Sequence, residues 1–128
     1  MMPSYVVDAS YVIAFLMPDE SVEGVDEVFI GYADRECSLI AATLLPYEVL
    51  NGFKSALIRS RISERYGVER IRDFAKLNIP LYEIDFEDAF LTASKNDLSI
   101  YDAAYVALSR ATGFPLLSLD ERLRGISE

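Results

Sequence analysis

The chain contains no histidine, and its 128 residues include a single cysteine, Cys37. Without histidine there can be no Ser-His-Asp triad, no imidazole general base and no histidine-ligated zinc or haem. One cysteine excludes an internal disulfide framework and also a Cys-rich zinc or iron–sulfur site. Glycines stand only at positions 24, 31, 52, 67, 113 and 125, too scattered to spell GxGxxG or a Walker A loop. The apolar run Tyr11–Met17 falls far short of the ~20 residues of a spanning helix. The N-terminus has no positive n-region, and Asp8 interrupts its apolar start. No membrane segment is expected, and a cytoplasmic location is the default. Any catalytic metal must be held by oxygen ligands, which favours Mg²⁺ or Mn²⁺.

Basic residues are also scarce, 12 against 21 acidic ones, for a formal charge of −9. That balance argues against non-specific binding to nucleic acid. The charge is uneven, however. Lys54, Arg59, Arg61, Arg65, Arg70, Arg72 and Lys76 are opposed locally by Glu64, Glu69 and Asp73 only, so this stretch is +4 and the remainder −13. It reads either as a solvated helix face laced with charge pairs or as a patch facing a polyanion, the former being favoured.

What is present is a core-forming composition, 52% hydrophobic, in a length that suits one domain over residues 1–128. A folded chain of this size exposes roughly 6,800 Å² and buries about two thirds of its unfolded surface. Ser4–Val7 reads as a buried strand ending at Asp8, and Ser10 as the N-cap of an apolar helix that Pro18 stops. A helix is expected from Ser21 to Ala33 on the spacing of Val22, Val25, Phe29 and Ala33, then a strand over Ser38–Ala41. Thr43 is expected to cap a long helix reaching Ile58, with Pro46 harmless in its first turn. Ser63 opens another, striped by Val68, Ile71, Phe74 and Ala75 and closed by Asn78 and Pro80. Strands over Leu81–Ile84 and Pro115–Leu117 and helices over Phe86–Lys95, Asp102–Ala111 and from Asp120 complete the chain. Alternating strands and helices imply an α/β fold: three layers, a central parallel sheet of about four to five short strands, and helices on both faces.

Ligands of such sheets sit at the carboxyl ends of the strands. Asp8 ends the first strand, Asp120 follows the last by Ser118-Leu119, and Glu48 and Asp102 lie near helix N-termini. Each has an ordinary structural explanation: strand ending or Asx-turn for Asp8, N-cap for Asp120, macrodipole partner for Asp102. Glu48 borders the stripe of Leu45, Val49, Gly52 and Ala56, and a half-buried carboxylate there needs a partner or a metal. Four acids converging at about 4 Å would repel by roughly 4 kcal/mol per pair, so protonation or a divalent cation must relieve them. Spacing alone does not show convergence.

Val6-Val7-Asp8-Ala9-Ser10, Glu48-Val49-Leu50-Asn51, the run Tyr101-Asp102-Ala103-Ala104-Tyr105-Val106-Ala107-Leu108 and Pro115-Leu116-Leu117-Ser118-Leu119-Asp120 occur in this order. Together they resemble the PIN-domain family, most closely its VapC-type toxin ribonucleases. The resemblance implies an acidic cluster of Asp8, Glu48, Asp102 and Asp120 holding Mg²⁺ or Mn²⁺, with Asp8 and Asp102 nearest the metal. Ser10 and Asn51 match supporting polar positions, and Ser118 stands where the family usually has threonine. Asp97 lies close to the third motif, but a helix-end role explains it better. The implied reaction is endonucleolytic RNA cleavage by a metal-activated water. The implied partners are an RNA substrate, a VapB-like antitoxin across the active-site groove and a second copy of the chain in a homodimer. Tyr5, Tyr11, Tyr47, Tyr101 and Tyr105 flank the motifs and read as core residues first, as base-stacking rings second. A PIN-like module that only binds protein is the rival from another class; it requires a lost acid. A receiver-like phosphoacceptor domain requires a late lysine, and none follows Lys95.

Overall fold

The computed structural model describes residues 2–127; positions 1 and 128 of the expected single domain lie outside it. The chain alternates as expected, with β1 (Ser4–Val7), α1 (Ala9–Leu16), a 3-10 turn (Pro18–Glu20), α2 (Val25–Ala33), β2 (Ser38–Ala42) and α3 (Leu45–Ile58). Then come α4 (Glu64–Lys76), β3 (Leu81–Tyr82), α5 (Phe86–Asn96), α6 (Ile100–Thr112), β4 (Leu116–Leu117) and α7 (Glu121–Ser127).

Four strands form one parallel sheet in the order β3-β2-β1-β4. Val6, Val7 and all four of Leu39–Ala42 are buried. Successive strand residues point to opposite faces, so both faces of the sheet are covered. From β1 to β3 the chain steps one way across the sheet, and to reach β4 it turns back past β1. Right-handed crossovers therefore put α1–α4 on one face and α5–α6 on the other. In agreement, α6 packs on β1, β2 and β4, while α1 meets α2, α3 and α4. At Gly52 of α3 a Cβ would come within 2.4 Å of Ile13 Cδ1 of α1, so a larger residue there would make the tip of the Ile13 side chain shift. No helix among the described residues is long and apolar enough to cross a membrane.

Several boundaries differ from expectation. Ser21–Gly24 are not helical: Gly24 takes φ +93° and α2 starts after it, which leaves Val22 exposed; Ala33 is exposed as well. Thr43 does not cap α3: the N-cap position is Leu44, with no side-chain cap bond, and the Thr43 amide donates to the Tyr82 carbonyl, prolonging the ladder between β2 and β3. β3 stops at Tyr82, since Asp85 is already spent as the N-cap of α5. Ser99, whose hydroxyl accepts the Asp102 amide, starts α6 earlier than expected. On α4, Ile71 and Phe74 are half-buried but Val68 and Ala75 are exposed.

Candidate active site

The strand order reverses between β1 and β4, the switch point at which α/β sheets form crevices. Asp8 leaves the end of β1 there, and Ser118–Asp120 leave the end of β4; the Asp8 amide donates to the Leu117 carbonyl at 3.2 Å. Asp8, not Ser10, is the N-cap of α1. Its Oδ1 accepts from the Tyr11 amide at 3.1 Å and from the Ser10 hydroxyl at 2.7 Å. The Ser10 oxygen in turn accepts the Leu119 amide at 3.1 Å, which ties the two strand ends together. Ser118 is buried and accepts the Asp120 amide at 3.0 Å. Asp120 caps α7 through the amides of Arg122 (2.9 Å) and Leu123 (3.4 Å). Asn51 lies one turn beyond Glu48 on α3 and is exposed.

All four candidate acids thus stand at the N-terminus of a separate helix: Asp8 at α1, Glu48 in the first turn of α3, Asp102 in the first turn of α6 and Asp120 at α7. The positive ends of four helix dipoles offset part of the charge that this arrangement concentrates. They do not offset all of it. Burial pushes the Asp8 carboxyl above its ordinary range; the hydroxyls of Ser118 and Ser10 and the Tyr11 amide pull against this, and the Asp102 charge adds to it. Burial raises Glu48 as well, opposed by the Tyr105 hydroxyl and reinforced by Asp102 and Asp8. Asp102 is raised by burial and by Asp120, and lowered by Ser99 and Arg122. The four carboxylates therefore sense one another. Among the described residues, no group of three or more acids forms a ready-made metal cage. The donor set itself, carboxylate and hydroxyl oxygens, fits a hard divalent ion, which commonly takes one or two carboxylates and completes its shell with water.

Two residues outside the candidate set belong to this neighbourhood. Tyr105 is buried on α6 and donates to Glu48 Oε1 at 2.7 Å; burial and the Glu48 carboxylate hold its phenol well above the ordinary range, so it remains a donor. Arg122 bonds the carbonyls of Asn96 and Asp97, clipping α7 to the α5–α6 turn beside Asp102. Asp97 itself is the left-handed C-cap of α5, the helix-end role expected for it. The signal for Tyr105 was its place one turn after Asp102; nothing local marked Arg122.

The PIN domain family model matches residues 5–128. The chain belongs to the PIN-domain family. This PIN domain is 33% identical over 122 residues to the ribonuclease VapC3 of Pyrobaculum aerophilum, covering 92% of this chain and 90% of that one. Its fold is shared with the crystal structure of PAE2754 from the same organism, at a TM-score of 0.77 and 20% identity over 98% of this chain and 87% of the other. It is shared too with VapC20 of Mycobacterium tuberculosis, a sarcin-ricin loop cleaving toxin (TM-score 0.66, 14% identity, 94% and 93% coverage).

Three of the seven basic residues in the stretch on this PIN domain are engaged in charge pairs. Arg61 pairs with Asp19 and Glu20, Arg65 with Glu69, and Arg70 with Glu69 and Asp73 while lying over the Tyr66 ring. Only Lys54, Arg59, Arg72 and Lys76 of the seven lack an ion pair among the described residues.

Proposed function

We propose that the protein is a metal-dependent endoribonuclease of the VapC toxin type, acting at the carboxyl edge of its sheet as a single domain over 1–128. What supports this reading is that Asp8, Glu48, Asp102 and Asp120 each stand at a helix N-terminus and that the carboxyls of Asp8, Glu48 and Asp102 are raised in part by neighbouring acids of this set, in a chain related to a ribonuclease.

In this reading Asp8 and Asp102 hold Mg²⁺ or Mn²⁺, with Glu48 and Asp120 completing the acidic cluster. A bound divalent ion lowers the pKa of water, making it a nucleophile at neutral pH, and neutralises charge building on the phosphate. The chain's own residues orient the parts. Ser10 fixes the Asp8 carboxylate, Ser118 lowers its pKa from beside it, Tyr105 fixes one oxygen of Glu48 and leaves the other for water or the ion, and Asn51 supports from the next turn. The substrate is RNA, a VapB-like antitoxin closes the groove, and the enzyme works in the cytoplasm.

We assign the exposed apolar face of β3 and α5 to a second copy of the chain. The described residues expose 7801 Å², against roughly 6,800 Å² expected for a monomer of this size. Phe86 (82% exposed), Phe90 (65%), Leu81 and Tyr82 lie on this edge of the sheet and the helix after it.

The test is cleavage of total cellular RNA by purified, antitoxin-free protein with Mg²⁺ or Mn²⁺, beside EDTA and Asp102→Asn controls. Discrete fragments that vanish in both controls are expected. Intact RNA, from protein that gains no thermal stability from Mn²⁺, would overturn the reading.

A further inference from the structure

Arg122 brings a positive charge between two of the candidate acids. Its own amide, in the first turn of α7, donates to Asp120 Oδ1 at 2.9 Å. Its Nη2 donates to the carbonyls of Asn96 and, at 3.3 Å, of Asp97, where α5 ends. Carbonyls that close a helix lack partners within it and attract cations. Two residues after Asp97, Ser99 caps α6, and its hydroxyl accepts the Asp102 amide. The side chain therefore runs from the helix start that Asp120 caps to the turn that leads into Asp102, and Asp102 senses its charge.

This guanidinium is anchored but not spent. Arg61, Arg65, Arg70 and Arg124 each pair with a carboxylate, whereas Arg122, with acids on both sides, pairs with none among the described residues. The two carbonyls hold Nη2 only; Nε and Nη1 have no hydrogen-bond partner among the described residues, and the residue is exposed. A cation paired with Asp102 would compete with a metal ion for its oxygens. One held on neighbouring carbonyls leaves those oxygens free. The guanidinium fork matches a phosphate in shape, and a fork already held in place loses little freedom on binding one.

We propose that Arg122 binds a backbone phosphate of the RNA at the acidic site, donating from its unspent Nε and Nη1 groups while the Asn96 and Asp97 carbonyls hold it in place. The inference rests on the ribonuclease reading given above. A phosphodiester entering that site is an anion approaching four carboxylates, in a chain of formal charge −9. Even with one divalent ion seated, four carboxylates leave the site negative, and a fixed cation at its edge offsets the repulsion. Phosphate contacts position a strand without reading its sequence. Arg122 therefore sets where the strand lies, not which bases are chosen.

The test compares the wild type with Arg122→Met, which keeps an apolar stem without the charge, and Arg122→Lys, which keeps the charge without the fork. Initial rates on total cellular RNA are measured in saturating Mn²⁺ at several salt concentrations, and Mn²⁺ affinity is measured by calorimetry without RNA. Arg122→Met is expected to raise KM for RNA roughly 10- to 150-fold. Its log(kcat/KM) should fall less steeply with log salt, by about 0.7–0.9 in slope, as one lost phosphate contact requires. Its Mn²⁺ affinity should be no weaker than that of the wild type, since a neighbouring cation is gone. Arg122→Lys should fall between the two in KM and keep the full salt slope. A Met variant with the wild-type KM and salt slope would overturn the inference. Weaker Mn²⁺ binding at an unchanged salt slope would also overturn it, leaving Arg122 a clip that only holds Asp120 and Asp102. Should Arg122→Met fail to fold, Arg122→Lys decides, and a wild-type KM in that variant counts against the proposal. If the wild type cleaves RNA with metal while the variants match it, only this inference fails; if the wild type neither binds Mn²⁺ nor cleaves RNA, the ribonuclease reading fails with it.

Discussion

The Tyr105 hydroxyl donates to Glu48 Oε1 at 2.7 Å, joining α6 to α3 across 57 residues of sequence. A buried phenol and a half-buried carboxylate satisfy each other here, and the bond holds the starts of two helices in register at the site. Tyr105→Phe removes the donor and little else. The expected cost is about 1–2 kcal/mol, since the Glu48 oxygen recovers only part of its hydration. Urea denaturation of the two proteins checks this; a midpoint equal to that of the wild type would mean the bond is idle.

The raised carboxyls of Asp8, Glu48 and Asp102 make stability depend on pH in a definite direction. In the window from the ordinary carboxylate range up to these raised values, the native state binds more protons than the unfolded chain. The contribution to stability is complete below that window and is lost as pH rises through it. In EDTA the melting temperature should therefore be lower at neutral than at mildly acidic pH. Asp102→Asn should flatten that dependence, and Mn²⁺ should raise the melting temperature most at neutral pH. A wild-type melting temperature that climbs steadily with pH would contradict the account.

Ser10 serves both strand ends, donating to Asp8 and accepting from the Leu119 amide. Ser10→Ala leaves that amide and one side of Asp8 to water, at about 1 kcal/mol for each bond lost. Groups that orient a metal ligand typically matter by about 10- to 100-fold in metal affinity, and a loss in that range is expected by calorimetric titration of Mn²⁺. Unchanged Mn²⁺ affinity would reduce Ser10 to a structural clip.

Phe90 on α5 is exposed, four residues after the still more open Phe86. Phe90→Glu buries nothing new and removes nothing from the monomer core. It should convert a dimer into a monomer by light scattering. A dimer that persists would place the second copy on another face.

The order of the elements was legible because the buried strands and helix stripes carry their own periodicity. Their ends were less so. Asp8 and Ser10 are both good caps locally, and what decides between them is the Leu119 amide, 109 residues from Ser10. Thr43 reads as a cap, yet the helix starts one residue later, after Leu44, and the Thr43 amide extends the ladder to β3. The four acids were visible as residues near strand ends and helix starts; their mutual influence depends on a strand order that no local pattern carries. Arg61 could not be separated from a polyanion-binding patch by sequence, because its partners Asp19 and Glu20 come from a distant turn. Tyr47 and Tyr105 look alike in the chain, each near an acid on a helix, yet one ring is exposed and the other is core.

The most direct test of the central claim is the initial rate of RNA cleavage as a function of Mn²⁺ concentration, for the wild type and Asp8→Asn. The account predicts a saturable rate for the wild type, none in EDTA, and a loss of about 100-fold or more in Asp8→Asn, which keeps the α1 cap but not the charge. Cleavage that persists in EDTA, or an Asp8→Asn protein that matches the wild-type curve, would contradict it.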